Sequence, residues 1–345
     1  MSTWRKALAF LMAALPSGAA LAQGSNEADF FRGKKIQMIV GFDAGGGYDL
    51  YTRLIARHMG KHLPGNPSFI IQNMPGAGSR VAANYLYNVA SKDGTVLGSL
   101  VQSTPVDQIL GEPGIRYDAT KFAWIGNPII DNLVTLSSRS SGLATLEDVR
   151  SKGGLVCGSS GAGPTLAFPR VIGRLLPSEV RVVAGYPGVT AVNVAIERDE
   201  VNCIGGTGWS SMKATMGHLM RDGKLNVLLQ WGTAKDPEIA AIAGHDVPLM
   251  DALAKTTADT DALLILASTT ALSRPLLGPP GMPRERVELL RRAFDATMKD
   301  AEFLDEAARL KMDIRPIGGV EIQEIVERVV HSSPQGVARA RELVQ

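Results

Sequence analysis

From Ile36 onward, short β-branched runs alternate with stretches of helical periodicity, and glycine crowds the junctions between them. This alternation constrains the fold more than any other feature, because strand–helix–strand successions pack as parallel sheets with right-handed crossovers. Ile36–Val40 reads as a strand and Asp49–Leu63 as a helix. Leu50, Leu54, Ile55, Met59 and His62 recur at helical spacing until Pro64-Gly65 stops the run. Ser68–Gln72 reads as a strand, Gly78–Val89 as a helix, Lys92–Thr95 as a turn and Val96–Leu100 as a strand.

A second set of units follows an extended apolar stretch over 123–138. Thr145–Arg150 reads as a short helix capped by Thr145. Leu155–Gly158, Arg181–Ala184, Val201–Ile204 and Leu225–Trp231 read as strands, separated by helices over Thr165–Leu176 and Thr190–Arg198. Ala262–Ala267 reads as apolar and extended, and 276–283 as a stiff, proline-rich linker. Arg286–Lys299, Ala301–Lys311 and a terminal Val320–His331 read as helices. Two strand–helix sets separated by extended segments imply two α/β lobes joined by two crossing segments. Lobe 1 is expected over 28–130 plus 265–345 and lobe 2 over 131–264, with a signal peptide at 1–22.

That signal is explicit. Arg5 and Lys6 form the positive n-region, Ala7–Leu15 the apolar stretch, and Ala20-Leu21-Ala22 the small-x-small cleavage pattern. The apolar run is far shorter than the roughly 20 residues a membrane span needs. No cysteine follows it to carry a lipid, so a soluble periplasmic protein is expected. Without Arg5 and Lys6 the chain carries 34 basic and 34 acidic residues. That neutrality argues against nucleic acid or an anionic membrane as partner, so any anion specificity must be local. Export permits a disulfide between Cys157 and Cys203 if their strands are neighbours; two buried free thiols are the alternative.

Three glycine-bearing loops follow expected strands and precede expected helices: Asp43–Asp49, Asn73–Ser79 and Gly158–Thr165. Ligands of open α/β sheets bind at the carboxyl ends of the strands. Glycine leaves backbone N–H groups accessible there, and the helix N-termini add partial positive charge. Several such loops facing one crevice would hold a carboxylate without any arginine. Asp49 and Ser79 could equally cap their helices. Asn193, Thr207, Trp209 and Ser210 are further candidates, with a core anchor as the plain alternative for Trp209.

Other chemistries find little support. Gly45-Gly46-Gly47 lacks the Lys-Ser/Thr of a phosphate loop. No cofactor and no metal are expected: His58 and His62 lie four apart on one helix, but no zincin glutamate sits between them. Gly158-Ser159-Ser160-Gly161 is out of register for a nucleophile elbow, so no catalytic residue is assigned and the chain reads as a binding protein. A secreted serine hydrolase using Ser159 or Ser160 remains the enzymatic alternative.

The chain resembles the substrate-binding proteins of tripartite tricarboxylate transporters, the Bug receptors. The resemblance rests on Phe31-Arg32-Gly33-Lys34, on Ile39-Val40-Gly41-Phe42 continuing through Ala44-Gly45-Gly46-Gly47-Tyr48-Asp49, and on Gln72-Asn73-Met74-Pro75-Gly76-Ala77-Gly78-Ser79. Asp93-Gly94-Thr95 and Gly185-Tyr186-Pro187-Gly188 also fit. It implies a bilobed type II periplasmic binding fold with two Rossmann-like lobes, probing no chemistry of its own but closing on a small organic carboxylate. By position it assigns ligand contacts to Phe42, Ala44, Gly45, Gly46, Gly47 and Asp49 in the first loop. In the second it assigns Pro75, Gly76, Ala77, Gly78 and Ser79. In the third it assigns Ser159, Ser160, Gly161 and Thr165, with Tyr186 and Gly188 on the far wall. It further implies a monomer that delivers cargo to a two-component membrane carrier, or alternatively to a sensor kinase. Asp43-Ala44 departs from the family pattern: an acidic side chain beside an anion cradle repels a carboxylate unless it points away. A neutral or aromatic ligand would suit Asp43, Tyr48 and Trp209.

Overall fold

The computed structural model describes residues 29–345, so the expected signal peptide lies outside the described residues. The strands are β1 (Lys35–Val40), β2 (Ser68–Asn73), β3 (Val96–Ser99), β4 (Ala123–Asn127), β5 (Leu133–Ser138) and β6 (Leu155–Ser159). They continue with β7 (Val180–Ala184), β8 (Cys203–Gly208), β9 (Leu225–Trp231), β10 (Leu276–Gly278) and β11 (Ile317–Gly318). They form two sheets, ordered β11-β4-β10-β3-β1-β2 and β7-β6-β8-β5-β9. β1 runs parallel to β2 and β3, and β6 runs parallel to β7 and β8. The expected bilobed α/β fold is what forms, with helices covering both sheets.

The sheets are not purely parallel. β5 lies antiparallel to β8 and β9, and β10 lies antiparallel between β3 and β4. The short edge strand β11 is also antiparallel to β4, but β5 and β10 come directly after a crossing between the sheets. A chain entering from the other lobe needs no helical crossover, so it can insert in either sense.

Three readings of the sequence need correction. Ala262–Ala267 is not extended but ends the helix Thr257–Ala267, which opens with a Thr256–Asp259 capping box. Ala262, Leu263, Ile265, Leu266 and Ala267 are all buried, so the run carries no polar face to betray its period. The linker over 276–283 begins with a strand, β10, too short to show alternation. Val320–His331 is followed by a last helix, Pro334–Val344. That helix buries Ala340, Leu343 and Val344 in one core with Phe168, Ile172, Leu263 and Leu266. It rests on the second sheet's helices, whereas the sequence reading carried all of 265–345 to the first lobe.

Cys157 and Cys203 stand directly opposite each other in β6 and β8 and are joined in a disulfide.

Candidate interlobe anion site

The carboxyl ends of both sets of parallel strands face one small cavity of about 50 Å3. Four helices begin at its wall: Gly47–Met59, Pro164–Leu175, Val189–Glu197 and Trp209–Arg221. Each has a glycine at its N-cap (Gly46, Gly163, Gly188 and Gly208), which has no side chain to cap the first turn. At the fourth helix, Trp209 N donates instead to the Asn132 carbonyl at 2.9 Å and Ser210 N to the Asp131 carboxylate at 3.2 Å. Elsewhere Thr145, Asp236, Thr256, Asp300 and Ser333 cap their helices, whereas Arg80–Asn88, Thr104–Leu110, Arg284–Thr297 and Gly319–Val330 have no N-cap side-chain bond either. The first-turn N–H groups of a helix need a partner. Three N-termini without a capping side chain, at Gly46, Gly163 and Gly188, therefore present backbone N–H groups and helix dipoles to the cavity, which suits an anion.

Arg274 completes the cradle. It lies between the crossing segment and β10, and its backbone N–H donates to Asn127 Oδ1 at 2.8 Å. Its side chain is only 4% exposed. Nη1 donates to the Ser273 carbonyl and Nη2 to Ser211 Oγ, while the guanidinium lies over the Tyr48 ring at 4.6 Å. Its Nε is buried without a partner. Among the described residues no carboxylate lies within ion-pair distance of it. Asp131 is the buried acid in its field; burial raises the Asp131 carboxyl while Arg274 and the Ser210 donors oppose that rise. Glycine makes room for this arrangement. A Cβ on Gly47 would lie 2.0 Å from Ser211 Oγ, and one on Gly208 would lie 2.7 Å from both Arg274 Nη2 and Asp131 Oδ2.

Of the residues assigned from sequence, Phe42, Gly46, Gly47, Ser160 and Thr165 line the cavity. The rest stand behind or beside it. Asp49 is buried and does not cap its own helix. It accepts from Gly45 N at 2.9 Å, Arg53 Nε at 2.8 Å and Asn73 Nδ2 at 2.9 Å. Burial raises its carboxyl, but these donors outweigh burial and hold it below the ordinary range. Asp49 thus folds the first loop, with Ala44 and Gly45, onto the end of β2. Ser79 Oγ accepts from Val101 N at 3.2 Å and makes no helix cap, so the second loop, Pro75 to Ser79, is a strut. Ser159 Oγ accepts from Gly161 N at 3.0 Å and holds the third loop closed. Tyr186 packs behind Gly158, and Gly188 meets Asp43.

Sequence reasoning missed Arg274, Gln102 and Ser211 as wall residues. Ser273-Arg274-Pro275 carries no motif, and Gln102 and Ser211 follow no glycine pattern. Tyr48 and Thr207, noted only in passing, also line the wall. The histidines lie away from it. His58 pairs with Glu306 at 2.6 Å and His62 with Asp300 at 3.1 Å, and Lys61 already neutralises Asp300 and Glu302.

The two sides of the site touch at Gly78, whose added Cβ would lie 2.3 Å from Ala162 Cβ. Gly78 also has φ +62, a backbone region that a β-carbon strains. Gly78→Ala is expected to wedge the second and third loops apart and weaken ligand binding about tenfold or more, an effect of the size seen for small misplacements in a preorganised site. Calorimetric titration of the variant reads this directly, and unchanged affinity would show that closure at Gly78 is not needed.

No protein-family model matches the chain. A UPF0065 protein from the gbd 5' region of Cupriavidus necator is 24% identical over 332 residues, covering 90% of this chain and 88% of that protein. The periplasmic binding protein BugD superposes with a TM-score of 0.69 at 16% identity, over 91% of this chain and 98% of that one. MatC from Rhodopseudomonas palustris, solved with malate, gives 0.66 at 18% identity, over 91% and 100%. A further R. palustris protein, solved with adipate, gives 0.67 at 18%, over 89% and 97%. The chain therefore has the bilobed periplasmic-binding-protein fold, and its resemblance to the Bug-type receptors extends over nearly its whole length.

Proposed function

We propose that the chain is a periplasmic receptor that closes on a small organic carboxylate and hands it to a two-component membrane carrier. The observation that carries this reading is the convergence of three helix N-termini without a capping side chain and the buried Arg274 on one cavity. The malate and adipate held by two structural neighbours support the same ligand class. So does the export signal expected at 1–22, which would direct the receptor to the periplasm. No helix among the described residues is long and apolar enough to cross a membrane. A binding rather than catalytic role is favoured because, among the described residues, the hydrogen-bond partners of Ser160 Oγ are Thr165 Oγ1 and Ala162 O, at 3.4 and 3.5 Å, with no histidine beside it.

The lobes would move about the segments joining β4 to β5 and preceding β10. The moving bodies would follow the division 28–130 plus 265–345 and 131–264, except that the last helix, Pro334–Val344, would travel with the second sheet. A thermal-shift screen against mono-, di- and tricarboxylates tests the reading. Ligand at a hundred times its Kd adds about 2.7 kcal/mol of stability, and no shift with any carboxylate would overturn it.

Closure has a clasp outside the cavity. Lys213 Nζ reaches Glu238 at 2.6 Å on its own side and Asp313 Oδ2 at 2.7 Å across the gap. Arg315 meets Asp236 at 3.4 Å beside it. Lys213→Ala is expected to weaken ligand binding only about threefold, since partly exposed pairs contribute roughly 0.2–1 kcal/mol each. The loss should shrink in high salt; a salt-independent loss would point to packing instead.

A further inference from the structure

We infer that Asp43 selects a cargo that carries an N–H donor as well as its carboxylate, that is, a small amino acid or a close amino-carboxylate. The inference rests on the receptor reading above and names the substrate class of that same site.

The wall of the cavity has unmet hydrogen-bonding capacity of both signs. Arg274 Nε and Gln102 Nε2 are buried donors without partners, on side chains 4% and 2% exposed. Asp43 Oδ1 is a buried acceptor without a partner, and Asp43 lines the same cavity. A carboxylate ligand offers acceptors only. It can satisfy Arg274 and Gln102, but it leaves Asp43 unpaired and repels it, which is costly in a dehydrated site.

Asp43 lies at the side of the cavity formed by the Val189–Glu197 helix. Its carboxylate is pressed against that wall, where a Cβ on Gly188 would lie 1.9 Å from Oδ1 and 2.8 Å from Cγ. The glycine gives the acid this place. Thr190 Oγ1, the next hydroxyl along that wall, is also buried without a partner. Asp49, the other acid of the loop, is spent on Gly45, Arg53 and Asn73. Arg274 and Asp43 thus present opposite charges to one small volume. A molecule with a carboxylate at one end and an ammonium at the other satisfies both and enters with no net charge. The cavity volume of about 50 Å3 limits it to a short skeleton.

The test uses matched sets that differ in one substituent: propionate, lactate and alanine; succinate, malate and aspartate; glutarate, 2-hydroxyglutarate and glutamate. Affinities are measured by calorimetric titration of the full mature protein and of Asp43→Asn, with unliganded melting curves as the fold control. In the set that binds, the amino member is expected to bind about tenfold or more tighter than the unsubstituted acid, the worth of one charge-assisted hydrogen bond. Asp43→Asn should erase that preference while still binding the unsubstituted acid. Equal or tighter binding of the unsubstituted acid by the unaltered protein overturns the inference and leaves the carboxylate receptor standing. A preference for the amino member that survives Asp43→Asn also overturns the role of Asp43. No binding by any member of any set overturns the receptor reading and this inference together.

Discussion

Arg274→Met is expected to abolish carboxylate binding while leaving the empty protein folded. The two halves of that result have separate causes. With ligand present, the guanidinium supplies a charge-assisted donor in a site sealed by loops from both lobes. Truncating one partner of a buried, hydrogen-bonded charge pair costs about 2–5 kcal/mol, so Kd should rise roughly 30-fold or more. Without ligand, Arg274 is a buried cation with Nε unpartnered and no ion pair among the described residues. Burying such a charge is unfavourable, and methionine fills a similar volume while removing the penalty. The lost bonds to Ser211 and the Ser273 carbonyl, and the loss of the positive charge that opposes the rise of the buried Asp131 carboxyl, offset that gain, so the empty protein should stay folded. Arg274→Lys keeps the charge but cannot hold Ser211 and reach the cavity with one planar fork, so its affinity should fall between the two. Titration calorimetry and chemical denaturation of the three proteins decide the matter. Unaltered affinity in Arg274→Met would remove the arginine from the site.

This division between folding and binding explains what was legible in the sequence. The strand β2 and the helix Gly47–Met59 could be read because burial alternates along them with the period of the element, and β1 and β3, though largely buried, because they are short apolar runs whose ends glycine or proline marks. The helix Thr257–Ala267 could not, because apolar neighbours on nearly every side erase its period. The glycine loops pointed to the correct end of the sheets but not to the residues that face the cavity. Their most polar member, Asp49, is consumed in holding the loop, while Asp43, the residue that broke the expected pattern, reaches the wall. Arg274 was invisible for a different reason. It approaches from a crossing segment more than two hundred residues from the first loop, and only the tertiary fold brings it over Tyr48.

The same reasoning makes the disulfide a large and local term. Cys157 and Cys203 close a segment with a sequence separation of 46, containing the helix Pro164–Leu175, β7 and the helix Val189–Glu197. Two of the three helix ends that face the cavity without a capping side chain therefore lie inside the closed loop. Cross-linking a loop of that length removes chain entropy worth up to about 4 kcal/mol from the unfolded state. A Cys157→Ala, Cys203→Ala double variant is expected to lose most of that, seen as a lower denaturant midpoint with little change in slope. The loss should also be local, with hydrogen exchange accelerating over β6 to β8 while β1 to β3 keep their protection. Ligand affinity should be nearly preserved at temperatures where the variant is folded, because neither sulfur lies in the cavity wall. Protection lost equally in both sheets would instead mean that the two lobes unfold as one unit. The cross-link would then stabilise the whole chain rather than the half that carries Ser160, Thr165 and Val189 to the ligand.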